Sequence, residues 1–240
     1  MITLSMKCTQ SFATPLFNLE NAISQELIHL WKRTILDYSP SFKPTSLGHN
    51  KVLESLHQFF YWKDPVIQQI AHFCHMKLAE IIVQTSSFDQ ATFESLIFDY
   101  QSWVQICKDG GFLACQNFPN SSWTGFLCLD LDESSLSDKN NGTIVLHDPR
   151  VNANQHQDDA NSRWKWPFEL CSFQFHPKPG DLIIFPSYMR TESFTYLGNK
   201  PRMMIWFSCW VRLPDALCVM PKTHYKLREI TPFIFENSGT

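Results

Sequence analysis

Histidine and cysteine are the residues whose chemistry could hold a metal here, and their spacing suits that role poorly. His72 and His75 stand one helical turn apart with Cys74 between them. No third ligand follows at a recognisable interval, so boundary histidines on a helix explain them better. The eight cysteines, Cys8, Cys74, Cys107, Cys115, Cys128, Cys171, Cys209 and Cys218, contain no Cys-x-x-Cys pair. Zinc ribbons and dithiol redox sites use that spacing. The expectation is instead reduced, mostly buried thiols in a cytoplasmic protein. His147, His156 and His176 lie on separate segments, so a site made from them requires the fold to bring them together.

Asp148-Pro149-Arg150 is the other local constellation. Asp-Pro ends a strand, which leaves two readings: a structural turn, or an Asp148 that orients Arg150 at a pocket rim. The net charge is −3, with 20 dispersed Lys and Arg, so nothing favours a nucleic-acid partner. No stretch approaches the ~20 apolar residues of a membrane span, and no basic region feeds an apolar run at the N-terminus.

These residues must be positioned by elements of two periods. Ile2 to Met6 reads as a strand. Leu19, Ile23, Leu27, Leu30, Trp31, Thr34 and Ile35 recur at helical spacing, and Tyr38-Ser39-Pro40 stops that helix. Asn50 can cap a short helix through Val52, Leu53, Leu56, Phe59 and Phe60. Asp64-Pro65 starts a longer one that runs to about Val83. From Asp99 the period becomes strand-like: Tyr100 to Cys107, Phe112 to Phe118, Thr124 to Leu131, Thr143 to His147, Phe168 to Phe175, Leu182 to Ser187, Glu192 to Leu197 and Arg202 to Arg212. Val151 to Trp164 is a polar loop. The expected architecture is a single mostly-β domain over 1–240. Residues 1–98 form a mainly helical buttress, 99–213 the β core, and 214–240 a C-terminal extension.

A family resemblance rests on Pro177-Lys178-Pro179-Gly180-Asp181, Phe185-Pro186-Ser187-Tyr188, Arg202 and the apolar strand after it. It continues upstream through Trp103, Gly110-Gly111-Phe112, Pro119-Asn120, Trp123-Thr124-Gly125-Phe126 and Asp148-Pro149-Arg150. These segments resemble bacterial and phage iron(II)/2-oxoglutarate-dependent oxygenases, which implies a double-stranded β-helix, the jelly-roll or cupin-like fold, buttressed by helices. The same resemblance places the family's His-x-His at Gln116-Asn117-Phe118 and its later iron-binding His at Thr191. An amide oxygen binds iron(II) weakly, a phenyl ring does not bind it, and a neutral Thr hydroxyl binds it poorly.

The resemblance implies that Arg202 faces the distal carboxylate of the oxoacid. A guanidinium can clamp a carboxylate through two parallel hydrogen bonds. The competing reading is an ion pair with Glu192 or Asp181. Arg202, Arg150 and Asp148 are therefore the candidate ligand-binding residues, and Gln116, Phe118 and Thr191 are lost-ligand positions. Strand alternation requires one of Cys115 and Gln116 to face away from the pocket.

Three functions stay open. The first is a catalytically degraded oxygenase relative, with no cofactor assigned, that binds a small carboxylate or a protein partner. The second is an active oxygenase using Fe(II) and 2-oxoglutarate through relocated ligands, with His147, His156 and His176 as the histidines available. The third is a structural or assembly protein on a jelly-roll scaffold. Substrate and oligomeric state are not encoded in any motif.

Overall fold

The computed structural model describes residues 13–45, 51–132, 138–150, 152–159, 161–166 and 168–214. The expected strand at Ile2 to Met6 and the extension after Pro214 lie outside the described residues.

Two helices are set by their caps. Helix α1 (Gln25–Tyr38) begins after Ser24, whose hydroxyl accepts from the Leu27 N–H, and helix α2 (Pro65–Thr85) begins after Asp64, which accepts from the Val66 and Ile67 N–H groups. Pro65 occupies the first helical position, where a missing N–H costs no bond. A third, α3 (Gln90–Glu94), is short and capped by Asp89. Trp31 joins the long pair: its ring lies 5.7 Å from that of Phe73, and its Nε1 donates to Gln69 Oε1 at 3.2 Å. Among the described residues, no helix is long and apolar enough to cross a membrane.

Strands follow as β1 (Phe17–Leu19), β2 (Lys43–Pro44), β3 (Val52–Glu54), β4 (Ile97–Cys107), β5 (Gly111–Gln116), β6 (Trp123–Asp130), β7 (Ile144–Leu146), β8 (Phe173–Phe175), β9 (Leu182–Pro186), β10 (Thr191–Tyr196) and β11 (Arg202–Arg212). They form a seven-stranded sheet, β1-β9-β6-β11-β4-β3-β2, and a four-stranded sheet, β5-β10-β7-β8. The ladders between these strands are antiparallel. The result is a mostly-β domain with N-terminal helices and two separate sheets, and among the described residues the sheets do not close into a barrel.

Alternation along β11 divides the core. Ile205, Phe207 and Cys209 meet α1 and α2 through Trp31, Ile35, Ile70, Cys74 and Leu78. Met204 and Trp206 point the other way, into the space between the sheets, where Leu113, Ile144 and Leu146 approach from the smaller sheet. On the helix side, Gly125 lets the Phe207 ring sit on the backbone, since a Cβ there would fall 2.5 Å from Phe207 Cζ.

Three local expectations need correction. Leu19 belongs to β1 and Ile23 precedes α1, so the helix is shorter than its apolar spacing suggests; Leu19 pairs with Leu182 of β9 instead. The predicted helix after Asn50 is strand β3 followed by a 3-10 turn at Phe59–Tyr61. Pairing with β4, Val52 opposite Cys107, overrides its local helical pattern. The segment from Phe168 is strand only from Phe173, where pairing with β7 begins.

Candidate functional site

Two of the positions that the resemblance matches to ligands are neighbours across a ladder. Thr191 of β10 is the direct partner of Gln116 in β5 and, on its other side, of Leu146 in β7. Thr191 is 1% exposed, and its hydroxyl has no hydrogen-bond partner among the described residues. Between Thr191 and Ser193 the ladder shifts: Gln116 opposes the first and Leu113 the second, so β5 carries one extra residue. Phe118 fills the mouth of this interior. Its ring lies 5.9 Å from both Trp103 and Trp206, which are themselves stacked at 6.3 Å, and His57 covers Trp103 at 4.8 Å. Trp206 Nε1 is buried and has no hydrogen-bond partner among the described residues.

Arg202 lies deeper on the same wall and is 4% exposed. Its Nη1 donates to the Gly142 carbonyl, its Nη2 donates to Ser193 Oγ at 2.8 Å, and its guanidinium sits 5.4 Å from the centre of the Tyr196 ring. Nε has no partner. Among the described residues no carboxylate forms an ion pair with it. The expected partners are engaged elsewhere. Asp181 accepts from the Asn21 and Lys178 N–H groups at 3.0 and 2.8 Å, and Glu192 faces His147 on the opposite side of β10. Two thiols feel the Arg202 charge. Burial nonetheless pushes Cys107 up and Cys128 up to about 12, so both are neutral near pH 7.

Gly142 makes this arrangement possible. It has φ +61, and a Cβ there would lie 3.0 Å from Arg202 Nη1 and 2.9 Å from Tyr196 Cδ2.

Asp148 and Arg150 are placed outside this interior. Arg150 Nε donates to Asp148 Oδ1 at 2.9 Å and Nη2 to Oδ2 at 2.5 Å, while the guanidinium also reaches the carbonyls of Phe168 and Glu169. Burial alone would raise the Asp148 carboxyl, but the bonds from Arg150 outweigh it and hold it below its ordinary range. The pair fastens the chain after β7 to the segment before β8. It also lines a groove of about 230 Å³ with His147, Asn152, Cys171 and Arg190.

The predicted alternative histidines do not assemble with one another. His176 Nε2 is held by Thr143 Oγ1 at 2.8 Å and by the Lys139 carbonyl, and His156 closes a 3-10 turn. His147 meets two residues that sequence reasoning did not assign to a ligand set. Cys115 Sγ, a His147 ring nitrogen and a Glu192 carboxylate oxygen all lie within 4.8 Å of one another. His147 Nε2 is 3.1 Å from Glu192 Oε1, and the two side chains are 27% and 29% exposed. The available signal was adjacency: Cys115 and Glu192 each neighbour a position that the resemblance matches to a ligand. His72 is exposed on α2, and His75 Nδ1 lies 3.0 Å from the Tyr100 hydroxyl.

The family's iron can be tested against these donors. Gln116, Phe118 and Thr191 offer an amide, a phenyl ring and a neutral hydroxyl, which do not make the two-His, one-carboxylate set of iron(II) oxygenases. The oxoacid fares better, because Arg202 has a buried Nε–H with no hydrogen-bond partner among the described residues.

A family model described as "Putative 2OG-Fe(II) oxygenase" matches residues 101–208. No match is found among curated proteins. Among solved structures, the chain is similar to a Pseudomonas putida prolyl-4-hydroxylase at 14% identity and TM-score 0.50, covering 83% of this chain and 93% of that one. It is also similar to a Trichoplax adhaerens prolyl hydroxylase, solved with a hypoxia inducible factor peptide, at 10% identity and TM-score 0.56, covering 81% and 83%. A non-heme alpha ketoglutarate dependent carbocyclase from nogalamycin biosynthesis gives 8% and 0.56, covering 89% and 86%. With the matched framework and the altered donors together, the chain is a distant relative of the iron(II)/2-oxoglutarate oxygenase superfamily with an atypical set of candidate metal ligands.

Proposed function

We propose that this chain is a non-catalytic oxygenase relative that keeps a double-stranded β-helix scaffold and binds a small carboxylate between its two sheets. The observation that carries this reading is Arg202: buried, cationic, without a carboxylate partner among the described residues, and with an unpartnered Nε. An unpaired buried cation costs several kcal/mol even after relaxation. The Gly142 carbonyl and Ser193 hydroxyl offset part of that cost as dipoles, and the neighbouring neutral thiols add no negative charge. A carboxylate approaching the Nε edge supplies it, with charge-assisted hydrogen bonds. Ser193 and Thr191 project inward from β10 two residues apart, so a second polar group on the ligand would find hydroxyls on the path from Arg202 toward Gln116.

The active-oxygenase reading requires metal and oxoacid to share a cavity. Cys115, His147 and Glu192 lie on the outer face of the smaller sheet, whereas Arg202 lies behind its inner face. This separation weighs against a working Fe(II) and 2-oxoglutarate centre built from those three ligands.

The test is calorimetric titration of the metal-free protein with 2-oxoglutarate and with succinate. One-to-one binding is expected, weakened by roughly 2–5 kcal/mol in a folded Arg202→Met variant. Equal binding by that variant, or no binding of either acid by the unaltered protein, would remove the proposal.

A further inference from the structure

The geometry points to a separate zinc-class cation site on the outer face of the smaller sheet, held by Cys115 Sγ, His147 Nε2 and the Glu192 carboxylate. The site follows from register. Thr191 is buried on the inner face of β10, so Glu192 beside it faces outward, and the exposed Cys115 adjoins Gln116, the cross-strand partner of Thr191. His147 follows the last residue of β7, and its N–H donates to the Arg190 carbonyl at 2.8 Å, immediately before β10. The ladder β5-β10-β7 thus presents one donor from each of three adjacent chain segments.

The distances are close to those of a coordinated ion. Tetrahedral ligands at ~2.0–2.3 Å from zinc stand about 3.3–3.8 Å apart. Here the three donor atoms are within 4.8 Å of one another, and the His–Glu pair is at 3.1 Å. Thiolate, imidazole and carboxylate together suit a borderline-soft ion, while calcium and magnesium prefer all-oxygen shells.

A supporting contact lies behind the imidazole. Ser172 Oγ is 3.5 Å from His147 Nδ1, so Nδ1–H can donate to it and leave the Nε2 lone pair for the ion. Three protein ligands leave zinc a fourth position. His147 also lines the 230 Å³ groove with Arg190 and Arg150, so water or a small anion is the ligand class for that position. The site is independent of Arg202, and the bland competitor is a surface His–Glu ion pair beside an unrelated thiol.

The experiment uses the reduced, full-length protein stripped by a chelator and titrated with zinc, then with cobalt(II) as a spectroscopic substitute. One equivalent should bind, and cobalt should produce a thiolate charge-transfer band in the near ultraviolet. Cys115→Ser should abolish that band. His147→Ala and Glu192→Gln should weaken zinc binding by more than the ~10-fold expected for Ser172→Ala. Gln116→Ala, Thr191→Val and Arg202→Met should leave it unchanged, which separates this site from the carboxylate site. Zinc should also slow alkylation of the exposed Cys115. Circular dichroism checks each variant for folding. Absence of stoichiometric zinc binding, or full binding by a folded variant lacking both Cys115 and His147, overturns the proposal.

Discussion

Thr191 and Gln116 are direct cross-strand partners on β10 and β5. The two positions that the resemblance matches to iron ligands therefore lie side by side, and they present a hydroxyl and an amide. With the pairing in place, the part played by these side chains can be tested by substitution.

Replacing Gln116, Phe118 and Thr191 by His together, in a His147→Ala background that disables the outer cluster, should bind iron(II) or cobalt(II) more tightly than any single replacement, because ligands act as a chelating set. Recovery will be incomplete, since an imidazole at 118 enters the space between Trp103 and Trp206. Metal titration of folded variants measures this. A triple variant no better than its parent would show that these side chains do not converge on one ion.

Gly142→Ala should destabilise the protein by about 1–3 kcal/mol in urea unfolding, because a positive φ and two close contacts coincide there. The same change should weaken carboxylate binding by displacing Arg202. An unchanged unfolding midpoint would mean that the turn accommodates a side chain freely.

Glu54 supplies a pH dependence. Burial raises its carboxyl pKa, but bonds from His57, Gln105 and Thr45 outweigh that and leave it below the ordinary 4.5. A carboxyl depressed in the folded state contributes stability above its unfolded pKa, and that contribution is lost as pH falls through the folded value. Unfolding free energy should therefore drop more steeply in the parent than in Glu54→Gln below about pH 5. Parallel curves for the two proteins would count against this role for Glu54 in holding β3 to β4.

The long strands were legible because alternation and punctuation are local: β4, β6, β9 and β11 fall within a few residues of their expected ends. Strands β1 and β3 were not, since three residues become strand only through partners far away in the chain, Leu182 to Ile184 for one and Gln105 to Cys107 for the other. Gln116 and Thr191 could be paired by resemblance. The outer cluster could not, because it depends on a one-residue shift in β5 and on three strands being adjacent. The competing ion pair of Arg202 with Glu192 fails for a similar reason: Glu192 is ten residues away, yet alternation places it on the other face of β10.

The order of the larger sheet bears on how the chain is made. Strand β11 lies at its centre, bonded to β6 on one side and β4 on the other, yet it follows every other described strand in sequence. During synthesis, β2-β3-β4 and β1-β9-β6 have no shared strand until Arg202 to Arg212 has emerged. Two sets of open edges with apolar faces must wait for the last strand, and such edges are where nascent chains pair wrongly. A ribosome-stalled chain ending before Arg202 should therefore be protease-sensitive and associate with holding chaperones, whereas one released beyond Arg212 locks both halves in a single late step.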